Sequence, residues 1–337
     1  MAQSIILQSR PSGEASIDNF ELIQLPDEQP ADGDVLIATR FISVDPYLRG
    51  RMNDAKSYVA PFPLHEPVVS GGVGEVIASQ NPAFSVGDVV CGYFPWQDVV
   101  LAKKGSGVLQ SLEKVNVDGV SMTAYLGILG MPGQTAWVGL NEIGQPQSGE
   151  TVFVSAASGA VGSTVGQIAK QLGCRVVGTA GSDEKVAYVL DDLGFDAAFN
   201  YRTEIDLSGK LEQLCPDGID INYENVGGPI SDTVFSQLNT HGRVIVCGLI
   251  SRYQSSEVAA GPPLMSVLVK SIRIQGFIVS NFPERCKEWK KVGAEWLRAG
   301  KISYRESIVD GLENAPQALM DVLAGRNFGK HLVRVSS

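Results

Sequence analysis

Cysteine and histidine are scarce in this 337-residue chain, and what there is does not cluster. The five cysteines (Cys91, Cys174, Cys215, Cys247 and Cys286) are an odd, scattered set with no C-x-x-C pair. That excludes a disulfide framework and a four-cysteine zinc lobe. Free thiols of this kind suit a reducing compartment, and cytoplasm is the expected location. The histidines are His65, His241 and His331. His65-Glu66 before a glycine-rich stretch would serve a catalytic zinc only with a soft ligand near residue 45, where the chain has Ser43-Val44-Asp45-Pro46-Tyr47. No metal is expected, and His65 reads as a loop residue. Basic residues are also in deficit: 27 Lys and Arg against 37 Asp and Glu leave a net charge of −10, without long runs of either sign. This disfavours nucleic acid and anionic membrane surfaces as partners. No apolar run reaches bilayer-spanning length, and Met1–Arg10 lacks the charged start and long apolar stretch of a signal peptide.

What is present is an ordinary globular composition, 44% hydrophobic and 19% charged, with a high glycine count of 37. The length suggests two domains. The first 130 residues read as short strands, among them Val35–Val44, Val68-Val69, Gly74–Ile77 and Asp88–Phe94, separated by Gly and Pro clusters such as Gly71-Gly72. This is the pattern of a small barrel-like β domain. From about Gly133 strands alternate with helices: Asp196–Phe199, Ile219–Tyr223, Arg243–Cys247 and Ile272–Gly276, with helical patterns such as Ile230–Leu238 between. Such a series implies a parallel sheet. A helix over Pro283–Ala299, a second over Ala315–Leu323 and a last strand, Lys330–Val335, complete the reading. The expected organisation is a β domain of residues 1–130 plus 300–337, with an α/β domain of residues 131–299 inserted into it.

One segment carries the chemistry. The apolar run Val152–Val154 feeds a turn of small residues, and Ser163–Leu172 then reads as an amphipathic helix. Strand, glycine turn and helix aim backbone N–H groups and a helix N-terminus at a pyrophosphate. Gly159 would let the backbone approach the phosphates, and Gly162 would let helix pack on strand. Ala157 stands where the first glycine of G-x-G-x-x-G usually sits, so the motif is A-x-G-x-x-G. The next strand, Arg175–Thr179, would end in a carboxylate if the ligand were NAD(H). Here Thr179-Ala180-Gly181-Ser182 follows, with no acid before Asp183. Its absence removes repulsion of a 2′-phosphate, and Lys185 could supply an attractive charge. The alternative is that Ser182 or Asp183 caps the next helix and Lys185 is solvated. NADP(H) is the expected cofactor.

At this point the residues resemble the medium-chain dehydrogenase/reductase superfamily. Within it, they are similar to the zinc-free group of prostaglandin reductases, curcumin reductases and plant double-bond reductases. The resemblance runs over nearly the whole chain, through Val44–Arg49, Gly130–Ala136, Ala156–Gly162, Gly181–Val186, Phe199–Tyr201, Asn225–Gly228, Cys247–Tyr253 and Asn327–Lys330. It implies a Rossmann-type doubly wound parallel sheet inserted into a GroES-like β-barrel domain, and NADPH/NADP+ as cofactor. It further implies that Ser158, Gly159, Ala160, Val161 and Gly162 lie along the pyrophosphate and that Lys185 and Tyr201 hold the 2′-phosphate. Asn225 would meet the ribose or nicotinamide side. Cys247, Gly248 and Tyr253 with Phe277, Ile278 and Val279 would line the nicotinamide, and Asn327 would close over the cofactor. Two departures stand out: Glu224 where Asp is usual, expected to change only loop packing, and Gln134 where an apolar residue is usual.

The resemblance implies reduction of the C=C bond of α,β-unsaturated ketones and aldehydes by hydride addition to the β-carbon. Charge then builds on the carbonyl oxygen, which calls for a hydrogen-bond donor, and the α-carbon needs a proton. Tyr253 is the first choice of donor and Tyr47 the second. Trp96 and Met131 are candidate pocket walls or plain core, and the loops Arg51–Pro67 and Tyr253–Pro263 would shape substrate preference. The competing readings are an NADPH quinone oxidoreductase and a non-catalytic NADPH-binding sensor. A homodimer is expected, paired through edge strands near Ile272–Gly276.

Overall fold

A computed structural model describes residues 1–255 and 261–336. Part of the loop Tyr253–Pro263 therefore lies outside the described residues. The chain divides into two compact units, Met1–Gly127 with Glu306–Ser337, and Ile128–Arg305.

The first unit begins with β1 (Ala2–Leu7) paired antiparallel to β2 (Phe20–Leu25). There follow β3 (Val35–Ser43), the short helix α1 (Tyr47–Arg51), β4 (Val69–Ser79), β5 (Val89–Pro95), β6 (Val99–Ala102), α2 (Gly107–Ser111) and β7 (Glu113–Lys114). β4 is one continuous strand, although Gly71-Gly72 reads as a break in the sequence. The glycines are there for space rather than for turning. A Cβ on Gly72 would stand 2.4 Å from the Phe94 ring, and one on Gly74 would stand 2.3 Å from the Ala38 carbonyl oxygen. Glycine inside a strand marks such close approaches.

The second unit has the core of a nucleotide fold. Its elements are α3 (Met131–Val138), β8 (Thr151–Val154), α4 (Ala160–Gln171), β9 (Arg175–Ala180), α5 (Asp183–Asp191), β10 (Ala197–Asn200) and α6 (Leu207–Leu214). They continue through β11 (Ile219–Glu224), α7 (Gly228–Ser236), β12 (Leu238–Val246), α8 (Leu264–Lys270), β13 (Arg273–Gly276) and α9 (Pro283–Arg298). The six strands are parallel, in the order β10-β9-β8-β11-β12-β13. β8 is buried on both faces, as a central parallel strand should be. Helix α4 starts at Ala160, earlier than the hydrophobic period suggests, because Val161 alone among Ala160–Gly162 carries a sizeable apolar side chain and one residue shows no period. Trp137 and Trp289 stack at 5.3 Å, and the Trp289 indole N–H donates to the Ile128 carbonyl at 2.7 Å. The Gln167 amide brackets Ser303, donating to its carbonyl (2.9 Å) and accepting from its N–H (2.8 Å), so residues to Arg305 belong to this unit.

The chain then returns to the first unit with β14 (Glu306–Asp310), α10 (Ala315–Leu323) and β15 (Lys330–Arg334). β14 pairs parallel to β15, and β15 pairs antiparallel to β3, giving a seven-stranded sheet ordered β14-β15-β3-β4-β5-β7 with β6 on β3. Trp96 is fully buried in this unit's core, stacked near Phe20 with its indole N–H on the Ser70 hydroxyl (2.8 Å), and is no pocket wall. The fold is α/β, a Rossmann-type parallel sheet with a separate, mostly antiparallel sheet. Among the described residues no helix is long and apolar enough to cross a membrane.

Candidate cofactor and active site

All six parallel strands end at positions the sequence singled out. Ser158–Gly162 follow β8, Gly181 and Lys185 follow β9, and Tyr201 follows β10. Asn225 follows β11, Cys247, Gly248 and Tyr253 follow β12, and Phe277, Ile278 and Val279 follow β13. In a parallel sheet these carboxyl ends share one edge, and the strand order reverses between β8 and β11, where such sheets bind ligands.

The glycine turn is built by close approach. Ala156 adopts a left-handed φ of 50°, and its carbonyl accepts the Gly159 N–H at 2.9 Å. A Cβ on Gly162 would stand 2.3 Å from that same carbonyl oxygen, so only glycine lets α4 seat on the turn. Ala157, in place of the first glycine, is fully buried, and its methyl occupies room that Gly178 on β9 leaves open. A Cβ on Gly178 would lie 2.6 Å from the Ala157 Cβ. No side chain caps the start of α4. Its first N–H groups have no intrahelical acceptor and are open to an anionic ligand.

At the end of β9, Ser182 caps α5, its hydroxyl accepting the Lys185 N–H at 3.3 Å. Asp183, the first acid after the strand, is engaged elsewhere: its carboxylate accepts from the Asn200 amide at 2.8 Å. Burial of the Lys185 ammonium, and secondarily the Arg202 charge, push its pKa down.

Glu224 is the residue that sequence reasoning undervalued. Its buried carboxylate oxygen Oε1 accepts from the Ser155 hydroxyl (2.9 Å) and the Val226 and Gly227 N–H groups (2.7 and 2.9 Å). The Asn225 N–H donates to the Ser155 hydroxyl at 2.8 Å, and its side-chain amide donates to the Ser155 carbonyl at 2.8 Å. Glu224 thus ties the ends of β8 and β11 together, well beyond loop packing. Gly227 and Gly228, with φ of 78° and 71°, let the chain turn from this knot into α7. With the Asn222 amide donating to Oε2 at 3.3 Å, four donors converge on this carboxylate, and nothing in a single Glu at this position signals that.

Beyond β12, the Tyr253 hydroxyl oxygen accepts from the Leu249 N–H at 3.4 Å and lies over Gly248, whose Cβ would be 3.2 Å away. Burial raises the Tyr253 pKa, opposed by that hydrogen bond. Burial pushes the Cys247 thiol up to about 12, so it stays protonated at neutral pH. Gln134, on α3, donates its amide to the Leu129 carbonyl at 3.4 Å.

Tyr47 and Asn327 belong to the first unit. Tyr47 opens α1 after the Asp45-Pro46 turn. Burial, with the Asp45 charge second, raises its pKa. Asp45 is itself buried, paired to Lys330 Nζ at 2.9 Å and hydrogen-bonded to the Ser43 hydroxyl. Lys330 also donates to the Val44 carbonyl at 2.9 Å. Asn327 turns its amide onto the Gly329 carbonyl at 2.8 Å. His65 is an exposed loop residue with φ of 62°. Among the described residues no group of three or more His, Cys, Asp or Glu could hold a metal ion.

Two family models match, one described as the N-terminal domain of oxidoreductase over residues 3–110, the other as zinc-binding dehydrogenase over residues 160–297. The chain is 45% identical to the NADPH-dependent curcumin reductase of Escherichia coli, over 98% of this chain and 96% of the relative. It is 44% identical to the NADP(+)-dependent 2-alkenal reductase of Nicotiana tabacum, over 90% of this chain and 88% of that one. The crystal structure of CurA from Vibrio vulnificus in complex with NADPH superposes with a TM-score of 0.93 at 42% identity, covering 99% of each chain. The chain therefore belongs to the medium-chain dehydrogenase/reductase superfamily, in the group that includes the curcumin, 2-alkenal and prostaglandin reductases.

Proposed function

We propose that this chain is an NADPH-dependent reductase of the C=C bond of α,β-unsaturated ketones and aldehydes. The observation that carries the reading is the carboxyl edge of the parallel sheet. It combines an uncapped helix start at Ala160 and glycine at 159 and 162 with a β9 end whose first following acid, Asp183, is engaged by the Asn200 amide. The relatives named for curcumin and 2-alkenal reduction support the substrate class. Bound NADPH would supply the hydride. Ser158–Gly162 would hold the pyrophosphate, Lys185 and Tyr201 the 2′-phosphate, and Asn225 the ribose or nicotinamide side. Cys247, Gly248 and Phe277–Val279 would pack on the nicotinamide, and Asn327 would complete the cofactor contacts.

As hydride reaches the β-carbon, negative charge grows on the carbonyl oxygen, and a neutral phenol can donate to it without a counter-ion. Tyr253 is the first candidate for that donor and Tyr47 the second. The Ile128–Arg305 unit would serve as the NADP(H) domain and the other as the catalytic GroES-like domain. We further propose a homodimer. β13 is an edge strand exposed along its whole length, and α8 beside it in sequence exposes Leu264, Met265, Leu268 and Val269. An unpaired strand edge with apolar neighbours suits pairing with a second copy. The scattered free cysteines favour the cytoplasm.

The test is consumption of NADPH, followed by its absorbance, against a panel of enones, enals and quinones, repeated with NADH. Turnover of enones with NADPH preferred supports the reading. Quinone turnover alone would move the chain to the oxidoreductase alternative, and binding without turnover on any acceptor would make it a sensor.

A further inference from the structure

Arg202 follows Tyr201 out of β10, and its guanidinium reaches across to the end of β9. A Cβ built on Gly181 would lie 3.3 Å from Arg202 Nε, 3.5 Å from its Cζ and 3.4 Å from the Tyr201 hydroxyl oxygen. Glycine at 181 therefore supplies a floor from which two side chains are reached at once. The Arg202 loop is anchored, its N–H donating to Asn200 Oδ1 at 3.0 Å. The guanidinium carbon lies 5.9 Å from the Tyr201 ring centroid. Asn200 also donates to Asp183 at 2.8 Å, which occupies the nearest carboxylate after β9. Lys185 is close enough for the Arg202 charge to bear on it. One guanidinium and one phenol thus gather over a glycine, with the Lys185 charge near enough to feel the guanidinium. Like charges held together favour a ligand carrying charge of the opposite sign.

A ribose 2′-phosphate has close to two negative charges and three acceptor oxygens, whereas a ribose hydroxyl offers neither. Arginine presents a planar fork suited to phosphate, where lysine is a point charge. We infer that Arg202 is a specificity-determining residue that binds the 2′-phosphate of the cofactor with Lys185 and Tyr201, and that it is a main source of discrimination against NADH. The inference rests on the NADPH reading above.

Calorimetric binding of 2′,5′-ADP and of 5′-AMP separates the two. For the wild-type protein, 2′,5′-ADP should bind the more tightly. Arg202→Gln should weaken 2′,5′-ADP by about 10- to 100-fold, the value of a hydrogen-bonded charge, and leave 5′-AMP unchanged. Arg202→Lys should recover part of the loss. Equal weakening of both nucleotides would assign Arg202 to loop structure and overturn the inference, as would retention of full 2′,5′-ADP affinity. A wild-type protein with no preference between the nucleotides would sink the NADPH reading itself, and this inference with it.

Discussion

Burial acts in the same direction on Tyr253 and Tyr47, the two candidate donors. Both phenols have pKa values raised chiefly by desolvation, Tyr47 also by Asp45. An acid whose pKa is raised stays protonated across the neutral range and loses its proton only as pH climbs past the ordinary tyrosine value of about 10. A tyrosine donor therefore predicts a kcat that shows no alkaline fall below about pH 10 from this group. Replacing Tyr253 by Phe removes the donor and keeps the ring. The expected loss in kcat is about 100-fold, the scale of one oxyanion donor, with little change in the KM for NADPH. Steady-state kinetics on a simple enone reads this, and an unchanged kcat would pass the role to Tyr47. At this scale the sequence was informative where chemistry is local. Tyr201 and Asn225 directly follow β10 and β11 and Lys185 lies in the first turn of α5, positions that the family resemblance singled out, with charge reasoning adding Lys185. Arg202 and Glu224 were not legible, because their importance comes from partners on other strands: Gly181 for one, Ser155 for the other.

Elements meet here through missing atoms. The Ala157 methyl and the Gly178 hydrogen are a matched pair on adjacent segments, so each substitution should depend on the other. Gly178→Ala should lower thermal stability by about 1–3 kcal/mol through overpacking. Adding Ala157→Gly should restore part of it, with a coupling energy of about 0.5–3 kcal/mol in a double-mutant cycle. Recovery will be incomplete, since the Phe195 ring also stands 3.0 Å from the Cβ position. Strict additivity in thermal unfolding would show that the two methyl positions do not compete. The same logic governs the knot at Glu224. Glu224→Ala strands buried donors of Ser155, Val226 and Gly227 and should cost about 1–3 kcal/mol for each donor left unpaired. Glu224→Gln should be far milder. Its Oε1 can keep the backbone donors, while a flip of Asn222, whose Oδ1 has no partner, accepts the new amide hydrogens. Equal loss of Tm in both variants would show that the charge, not the acceptor geometry, holds the turn. Strand and helix patterns were readable because hydrophobic period records burial. The continuous β4 and the strand Glu306–Asp310 were not: glycine at 71, 72 and 74 mimics a turn, and β14 is a half-exposed edge strand.

For the whole molecule, the exposed face of α8 and the β13 edge yield a prediction about assembly. Leu268→Glu places a charge among Leu264, Met265 and Val269 on a face that is already open to solvent, so the monomer should fold normally. If that face pairs two copies, sedimentation at micromolar concentration should shift from dimer to monomer. A dimer that survives the change uses another surface.

The buried pair of Lys330 and Asp45 also sets an order of events. The Ile128–Arg305 unit is one uninterrupted stretch of chain, whereas the other needs residues from both sides of it. During synthesis, Asp45 emerges long before the lysine that neutralises it, and a carboxylate cannot be sealed into a core without its counter-charge except at several kcal/mol. The strand β3 edge where β15 will later dock is open for the same interval. The inserted unit can therefore complete its sheet while the flanking one waits, and closure of the charge at Asp45 marks the moment when β15 has been made and docked.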